Sequence, residues 1–500
     1  MKQDMKHYKD LRSYLQALDE IGDLAHIRQE VDGDLEPGAI TRRSCEIDAP
    51  APLFENIRGA TPGFRILGAP AARSSRKDMP YARVALSLGL PPASTVPEIV
   101  NALLAARQLP GKKPVRIDAA GAPCRQNILR GDDANLDRFP IPFAHDTDGG
   151  RYANTWGMLI AKTPDGRWTN WSIARVMKVD GKRMAGLMVP SQHIGQIWAE
   201  WVKIGQPMPY ALVQGVAPAI ACAAGVPIPA GIDEADYVGA LWDEPIEVVK
   251  ALGVDLDVPA HAEVVIEGHV SITRDCPEGP YGEYSGYLGT ESSMQPSFHV
   301  ETISYRDDPI WPLVVAGRPA DESHTIWAMG MAADAMALMR EAGLPVVSAW
   351  APEESAVHWF VVVVPNDWRE KLPNTSSEQF ARRVGELLFK ADSLVFIPKI
   401  FLVDDDIDPT KIADVVWALA TRVHPRRKQA VFEEARVVSL AHCYEEDEYA
   451  SGRGPKVVFD TLQLPIGEGR LRHASFDQAY PQDLRERVLK NWDSMTTSPR

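Results

Sequence analysis

From about residue 115 to about residue 320 the sequence drops helical spacing and runs as short β-rich stretches. These are Thr155–Thr163, Trp168–Val179, Arg183–Val189, His261–Ile272 and Phe298–Tyr305. Turn signals such as Pro164-Asp165-Gly166 and Asp180-Gly181 separate them. Such patterning predicts a β-barrel or sandwich with inserted helices, His193–Ile204 being the clearest helix. Helical spacing governs the flanks. Residues 8–20 close near Gly22, and Thr95–Arg107 runs up to Pro110-Gly111. After 320, helices over Ile326–Ala342, Ser377–Phe389 and Ile412–Ala420 alternate with strands over His358–Val364 and Leu394–Val403. The unbroken apolar run His358–Val364 predicts a strand buried on both faces. A chain of 500 residues exceeds one core. The sequence therefore reads as a mixed α/β protein with domains over 1–114, 115–322 and 323–445. A tail over 446–500, with a helix near Pro481–Trp492, is expected to pack on a neighbouring subunit.

The formal net charge of −15 opposes nucleic acid and anionic membrane as partners. The apolar stretch Leu212–Ile232 is interrupted by Gln214, Pro218, Gly225, Pro227 and Pro229, which argues against a membrane span. Residues Met1–Arg12 are charged and lack the apolar core of a signal peptide. Five cysteines, an odd number without a Cys-x-x-Cys pair, weaken a zinc ribbon or redox motif and fit a reduced, cytoplasmic compartment.

Four segments could carry chemistry. In Trp168-Thr-Asn-Trp-Ser-Ile-Ala-Arg175, strand alternation puts Asn170 and Ser172 on one face and Ile173 and Arg175 on the other. Asn170 and Arg175 serve one site only if the strand breaks between them. Pro190-Ser-Gln-His193 leads into a helix, whose free N–H groups can bind an anion, and His193 could ligate a metal or simply cap the helix. In Ala223–Glu234, small residues allow close backbone approach to a bulky ligand, and Glu234 adds an oxygen of the kind Mg²⁺ or Mn²⁺ prefers. In Pro277-Glu-Gly-Pro-Tyr-Gly-Glu283, a rigid Gly/Pro turn fixes two carboxylates. Such a pair can be given different pKa values, one kept protonated as a proton donor. Taken alone, the segment reads equally well as two solvated loop glutamates.

Taken together, the segments resemble the UbiD-type decarboxylases dependent on prenylated FMN, nearest the ferulate (phenylacrylate) and heteroaromatic carboxylate branch. The resemblance runs over nearly the whole chain. It takes in Leu35–Arg43, Ala51–Ile57, Asp148-Gly-Gly-Arg-Tyr152, Trp168–Arg175 and Gln192-His-Ile194. Further on it takes in Glu234-Ala-Asp-Tyr-Val-Gly239, Glu278–Glu283, Asp321-Glu-Ser-His-Thr325, Asp405–Asp408 and Trp417–Arg422. It implies a split β-barrel that binds prenylated FMN, an N-terminal α/β domain and a C-terminal α/β oligomerisation domain. A homodimer is expected, with hexamers in some members.

The resemblance also implies roles. Asn170, His193 and Glu234 match Mn²⁺ ligands that hold the cofactor phosphate. The backbone around Trp171, Ala223 and Val226, with Glu234, matches a K⁺ site. The flavin surface comprises Asn170, Trp171, Ser172, Ile173, Ala174, Arg175, Gln192, His193, Ala224, Gly225, Val226 and Glu234. Arg175, Glu278 and Glu283 match a catalytic Glu–Arg–Glu network with Glu283 as proton donor. The substrate pocket is expected at Ile173, Gln192, Tyr284, Ile326, Val438 and Leu440. The implied reaction is reversible, non-oxidative loss of CO₂ from an α,β-unsaturated or (hetero)aromatic acid through a covalent substrate–cofactor adduct. A flavin prenyltransferase supplies the cofactor. Three positions depart from cinnamate-active relatives: Asp392 replaces a lysine, Val438-Ser-Leu440 replaces Phe-Pro-Leu, and Tyr284 replaces the usual Met of the fungal branch. Two other readings stand beside this one: a metal-dependent hydrolase using Asn170, His193 and Glu234 with Glu283 as base, and a non-catalytic flavin-binding or assembly protein.

Overall fold

Two long strands, Val264–Glu278 and Ser293–Tyr305, pair antiparallel and form the spine of a nine-stranded sheet. The structure, a computed structural model, describes residues 7–226, 228–438, 440–465 and 467–496. Across the sheet the order is Thr169–Ser172, Met158–Lys162, Met208–Gln214, Val264–Glu278, Ser293–Tyr305, Arg183–Gly186, Val176–Lys178 and Tyr152–Asn154. Asn127–Arg130 pairs separately along Ser293–Tyr305. Thr169–Ser172 and Val176–Lys178 are neighbours in sequence yet lie near opposite ends of this order. Residues 173–175 must therefore span the gap, and the sheet curls into a barrel left open on one side. Asn154 bridges the opening. Its Nδ2 donates to the Ala174 carbonyl at 2.8 Å, while its Oδ1 accepts from Gly157 N–H and Gln214 Nε2, each at 2.7 Å. Leu159, Leu212, Ile266, Val270, Phe298 and Ile303 fill the interior, as period-2 alternation requires.

The helix His193–Lys203 forms where its amphipathic spacing placed it and buries Ile194 and Ile197 against the barrel. Trp198 and Trp201 anchor its outer side by donating to the carbonyls of Ser271 and Lys162, each at 2.8 Å. A four-stranded N-terminal sheet takes Leu24–Ile27, Ala51–Phe54 and Arg65–Gly68 from the start of the chain and Ile310–Leu313 from beyond the barrel. The N-terminal unit is thus completed by residues far outside 1–114.

The C-terminal sheet has the order Ser348–Trp350, Trp359–Val364, Lys399–Asp404, Arg453–Asp460 and Gln429–Arg436. Trp359–Val364 lies inside it, parallel to Lys399–Asp404, and Phe360–Val364 are buried. The strand expected over Leu394–Val403 starts only at Lys399, because Asp392–Leu394 forms a 3₁₀ turn and Pro398 precedes the strand. The expected tail also begins later than 446. Arg453–Asp460 alternates buried and exposed residues and inserts into the sheet. Between the barrel and this sheet runs Glu322–Glu341, a helix that starts one turn before Ile326 because Asp321 caps it, accepting from Ser323 N–H at 2.9 Å. It is buried around most of its circumference and packs against the helix Val96–Ala106. All five cysteines are free. Among the described residues no helix is long and apolar enough to cross a membrane.

Candidate active site

A cavity of about 520 Å³ lies between the open side of the barrel and the Glu322–Glu341 helix. Its barrel wall is the strand break itself. Thr169–Ser172 ends, residues 173–175 adopt no regular structure, and Val176–Lys178 begins. The break brings Asn170, Ser172, Ile173, Ala174 and Arg175 to the same cavity, which an unbroken strand would not do. Ile173 N–H donates to the Ala224 carbonyl at 3.2 Å, so the break closes onto the end of the helix Pro218–Gly225.

At one pole, Arg175 lies between two carboxylates. Nε donates to Glu278 Oε1 and Nη2 to Glu278 Oε2, both at 2.9 Å, while Nη1 donates to Glu283 Oε1. Glu278 is fully buried at the end of its strand and does not line the cavity; Glu283, in the following loop, does. The segment thus separates the two carboxyls by environment rather than leaving them as paired loop residues. Burial pushes the Glu283 carboxyl above its usual range, with Arg175 opposing and Glu278 adding to the shift. Burial would weaken the Arg175 cation, but the charges of Glu283 and Glu278 outweigh it and raise its pKa.

Further residues complete this pole. Tyr152 donates to Glu278 Oε1 at 2.8 Å, and burial raises its phenol pKa. The Tyr281 ring lies 5.2 Å from the Arg175 guanidinium carbon. Gly149 N–H donates to the Pro280 carbonyl at 2.7 Å, and a Cβ there would sit 2.0 Å from the Gly279 carbonyl oxygen. Only glycine allows the Asp148-Gly-Gly turn to approach the glutamate loop so closely. Sequence reasoning gave Tyr152 and Tyr281 no role, although both lie in segments that carried the family resemblance.

At the other pole, Glu234 opens the helix Glu234–Trp242 and is buried. It accepts from Asn170 Nδ2 and from Trp171 N–H, each at 2.7 Å. His193 Nδ1 lies 3.9 Å from Glu234 Oε1. Ser172 Oγ donates to Asn170 Oδ1 at 2.9 Å. The fold thus unites three residues spread over 65 positions. Among the described residues no three of His, Cys, Asp and Glu form a metal-holding cluster, so a cation here would rely on the Asn170 amide beside His193 and Glu234. Amide oxygen, imidazole and carboxylate are a donor set that suits Mn²⁺ or Mg²⁺.

Gln192, His193, Ala224, Gly225, Val226, Glu234, Tyr284, Ile326 and Leu440 also line the cavity. A Cβ on Gly225 would crowd Ile173 Cδ1 at 3.3 Å. Trp171 and Ala223 are buried behind the wall, and Val438 does not reach the cavity. Trp327 and Phe396, absent from the sequence-derived pocket, pack edge to face at 4.9 Å, and Tyr284 meets Trp327 at 5.3 Å. Asp392 lines the cavity and pairs with Arg436 at 2.5 Å.

Three 3-octaprenyl-4-hydroxybenzoate carboxy-lyase domains match the chain in order. They are the N-terminal domain over residues 15–103, the Rift-related domain over 115–319 and the C-terminal domain over 324–461. The chain is 42% identical over 485 residues to pyrrole-2-carboxylic acid decarboxylase of Pseudomonas aeruginosa, covering 97% of each. It is 37% identical over 490 residues to ferulic acid decarboxylase 1 of Saccharomyces cerevisiae, again covering 97% of each. Among solved structures, the UbiD-class enzyme HmfF from Pelotomaculum thermopropionicum in complex with FMN aligns with a TM-score of 0.78 at 26% identity, over 94% of this chain and 98% of that one. The closed form of Sedimentibacter hydroxybenzoicus vanillic acid decarboxylase shares the fold, with a TM-score of 0.83 at 24% identity over 98% and 100% of the two chains. Fold and site together define a carboxy-lyase. More narrowly, the chain belongs to the UbiD family, and the hydrolase reading is not favoured.

Proposed function

We propose that this enzyme removes CO₂, reversibly, from an α,β-unsaturated or (hetero)aromatic carboxylic acid with the help of prenylated FMN. The observation that carries the reading is Arg175 bound between a buried Glu278 and a cavity-facing Glu283. The relatives named for pyrrole-2-carboxylic and ferulic acid support the substrate class. A related HmfF structure described as containing prFMN supports the cofactor.

Losing CO₂ from an sp² carbon leaves an electron pair with no stable home, and the bound flavin supplies the electron sink. The chain's own residues do the rest. Arg175 draws the substrate carboxylate into the cavity, its planar fork kept in place by Glu278 and Tyr152. Once CO₂ has left, Glu283 gives its proton to the bare carbon and is left as a carboxylate, which then takes a proton from water. Burial suits it to this task by favouring the neutral acid. Aromatic residues Tyr284, Trp327 and Phe396 bound the far part of the cavity and exclude water from the flat body of the substrate.

Asn170, His193 and Glu234 would hold Mn²⁺ at the cofactor phosphate, neutralising its charge. K⁺ would sit with Glu234 and the backbone near Trp171, Ala223 and Val226. Ala223 lies in the last turn of the helix Pro218–Gly225, where the carbonyls of a helix lack intrahelical partners and carry its negative partial charge. A flavin prenyltransferase supplies the cofactor. Copies of the chain pair through the C-terminal region, where Leu489, Trp492 and Met495 of the helix Gln482–Thr496 are 64%, 55% and 67% exposed.

The test is co-expression with a flavin prenyltransferase, followed by an absorption spectrum and CO₂ release from a panel of aromatic and acrylic acids. A bound modified flavin with CO₂ loss that Glu283→Gln abolishes is the expected result. Metal without flavin, and no CO₂ from any acid, would overturn the reading.

A further inference from the structure

The residue on each side of Glu283 is tied down through its backbone by a His–Asp pair, and the two pairs come from different parts of the fold. On one side Asp148 Oδ1 accepts from Gly282 N–H at 2.9 Å. Asp148 Oδ2 accepts from the His145 backbone N–H at 3.1 Å, and His145 Nδ1 lies 3.1 Å from the same oxygen. His145 Nε2 donates to the Ala316 carbonyl at 2.9 Å. A Cβ on Gly282 would meet the His145 ring at 2.6 Å, so loop and ring are in direct contact. On the other side His324 Nε2 donates to the Tyr284 carbonyl at 2.8 Å. His324 Nδ1 accepts the Asp321 N–H at 3.0 Å and lies 3.2 Å from Asp321 Oδ1. Asp321 Oδ2 in turn accepts from Gly317 N–H at 3.0 Å. Asp148, Asp321 and His324 are buried.

We propose that the His145–Asp148 and Asp321–His324 pairs are positioning elements that hold Glu283 at one fixed distance from the reacting carbon. The inference rests on the decarboxylase reading of the site. The loop that carries Glu283 is rich in Gly and Pro and lies outside the sheet ladder between Glu278 and Ser293. Its internal backbone bonds around the donor are few: Glu283 N–H to the Tyr287 carbonyl and Gly286 N–H to the Glu283 carbonyl, each at 3.0 Å, and Gly289 N–H to the Tyr281 carbonyl at 3.1 Å. A carboxyl that must lie against Arg175 before CO₂ leaves and protonate carbon afterwards needs a backbone that does not drift. Proton transfer requires hydrogen-bond reach, and misplacement by about 1 Å can cost about 100-fold in rate. Neither histidine touches the cavity, so both act through Glu283.

The experiment uses the full-length protein and two substitutions at His324. His324→Leu removes the donor to Tyr284, and His324→Gln keeps an amide N–H at about the same reach. Asp148→Ala, which removes the acceptor of the Gly282 N–H, tests the other pair. Amide hydrogen exchange by mass spectrometry and steady-state kinetics are measured on each. In His324→Leu and Asp148→Ala, exchange is expected to quicken over 279–292 alone. The kcat is expected to fall about 10- to 100-fold with KM within about twofold, and His324→Gln is expected to restore both. Unchanged exchange over 279–292, exchange raised evenly along the chain, kcat and KM changing together, or no rescue by Gln would each overturn the proposal. If the unsubstituted enzyme releases CO₂ from no acid, the decarboxylase reading fails, while the exchange result still decides whether the pairs hold the loop.

Discussion

Arg175 gives two parallel 2.9 Å hydrogen bonds to the two oxygens of Glu278 and keeps its remaining Nη1 for Glu283. The fork fits one carboxylate edge-on, so Glu278 fixes the plane of the guanidinium and Glu283 meets it from the cavity side. A lysine keeps the charge but cannot form this fork. Arg175→Lys should therefore leave the fold intact and lower kcat/KM by about 100-fold or more. Glu278→Ala should do worse, because it leaves a largely buried cation half paired, at a cost of about 3 kcal/mol in stability. Melting curves and CO₂ release, measured side by side, separate the two effects.

Glu283 must be neutral when it donates. Its folded pKa is raised above the ordinary value of 4.5, chiefly by burial. Activity should accordingly be retained at low pH and lost as pH rises through that raised value. The limb should lie above the range of an exposed glutamate in a profile of kcat against pH. An alkaline limb at the position of a free carboxylate would rule out Glu283 as the donor.

Glu234 orders Asn170 and the Trp171 amide together. Glu234→Ala should release both groups, so the purified protein should carry less Mn and less flavin than the unsubstituted enzyme, by about tenfold or more. Metal analysis and the absorption spectrum of the same sample test this without substrate. Full occupancy of both would remove Glu234 from the cation site.

Two buried carboxyls away from the Arg175 network, Glu322 and Glu353, are pushed up to about 7, mainly by burial. A folded pKa above the unfolded one adds stability that is full below the unfolded value near 4.5 and is lost as pH rises through about 7. Melting temperature should therefore fall between pH 5 and 8, each group contributing up to about 1.4 kcal/mol per pH unit at the steepest. Glu322→Gln, which keeps a neutral acceptor for the Ala71 and Ala72 amides, should flatten part of that slope. An unchanged slope would show that Glu322 does not titrate in this range.

The sequence by itself determined the local elements and the identity of the chemical groups. Periodicity marked the helices His193–Lys203 and Val96–Ala106 and the buried strand Trp359–Val364 almost to the residue. These depend on spacing within one segment, and spacing is local. The residue types of Glu278 and Glu283 suited acid–base chemistry and solvated loop positions equally well, and it was the ordered set of segments resembling the family that gave them, with Arg175, catalytic roles. Tertiary structure decided what met what. Asn170 and Arg175 belong to opposite faces of an ordinary strand, and only the turn of the open barrel at 173–175 aims both at one cavity. Tyr152, Trp327, Phe396 and the two His–Asp pairs took their places in or behind the site without a local signal of that role, although Asp148, Tyr152, Asp321 and His324 lie in segments that resemble the family, because nothing local distinguishes a buried tyrosine or histidine in a core from one beside a proton donor. The strands Ile310–Leu313 and Arg453–Asp460 joined sheets begun far earlier in the chain, since pairing between distant segments is settled by long-range packing and not by the residues of either strand alone.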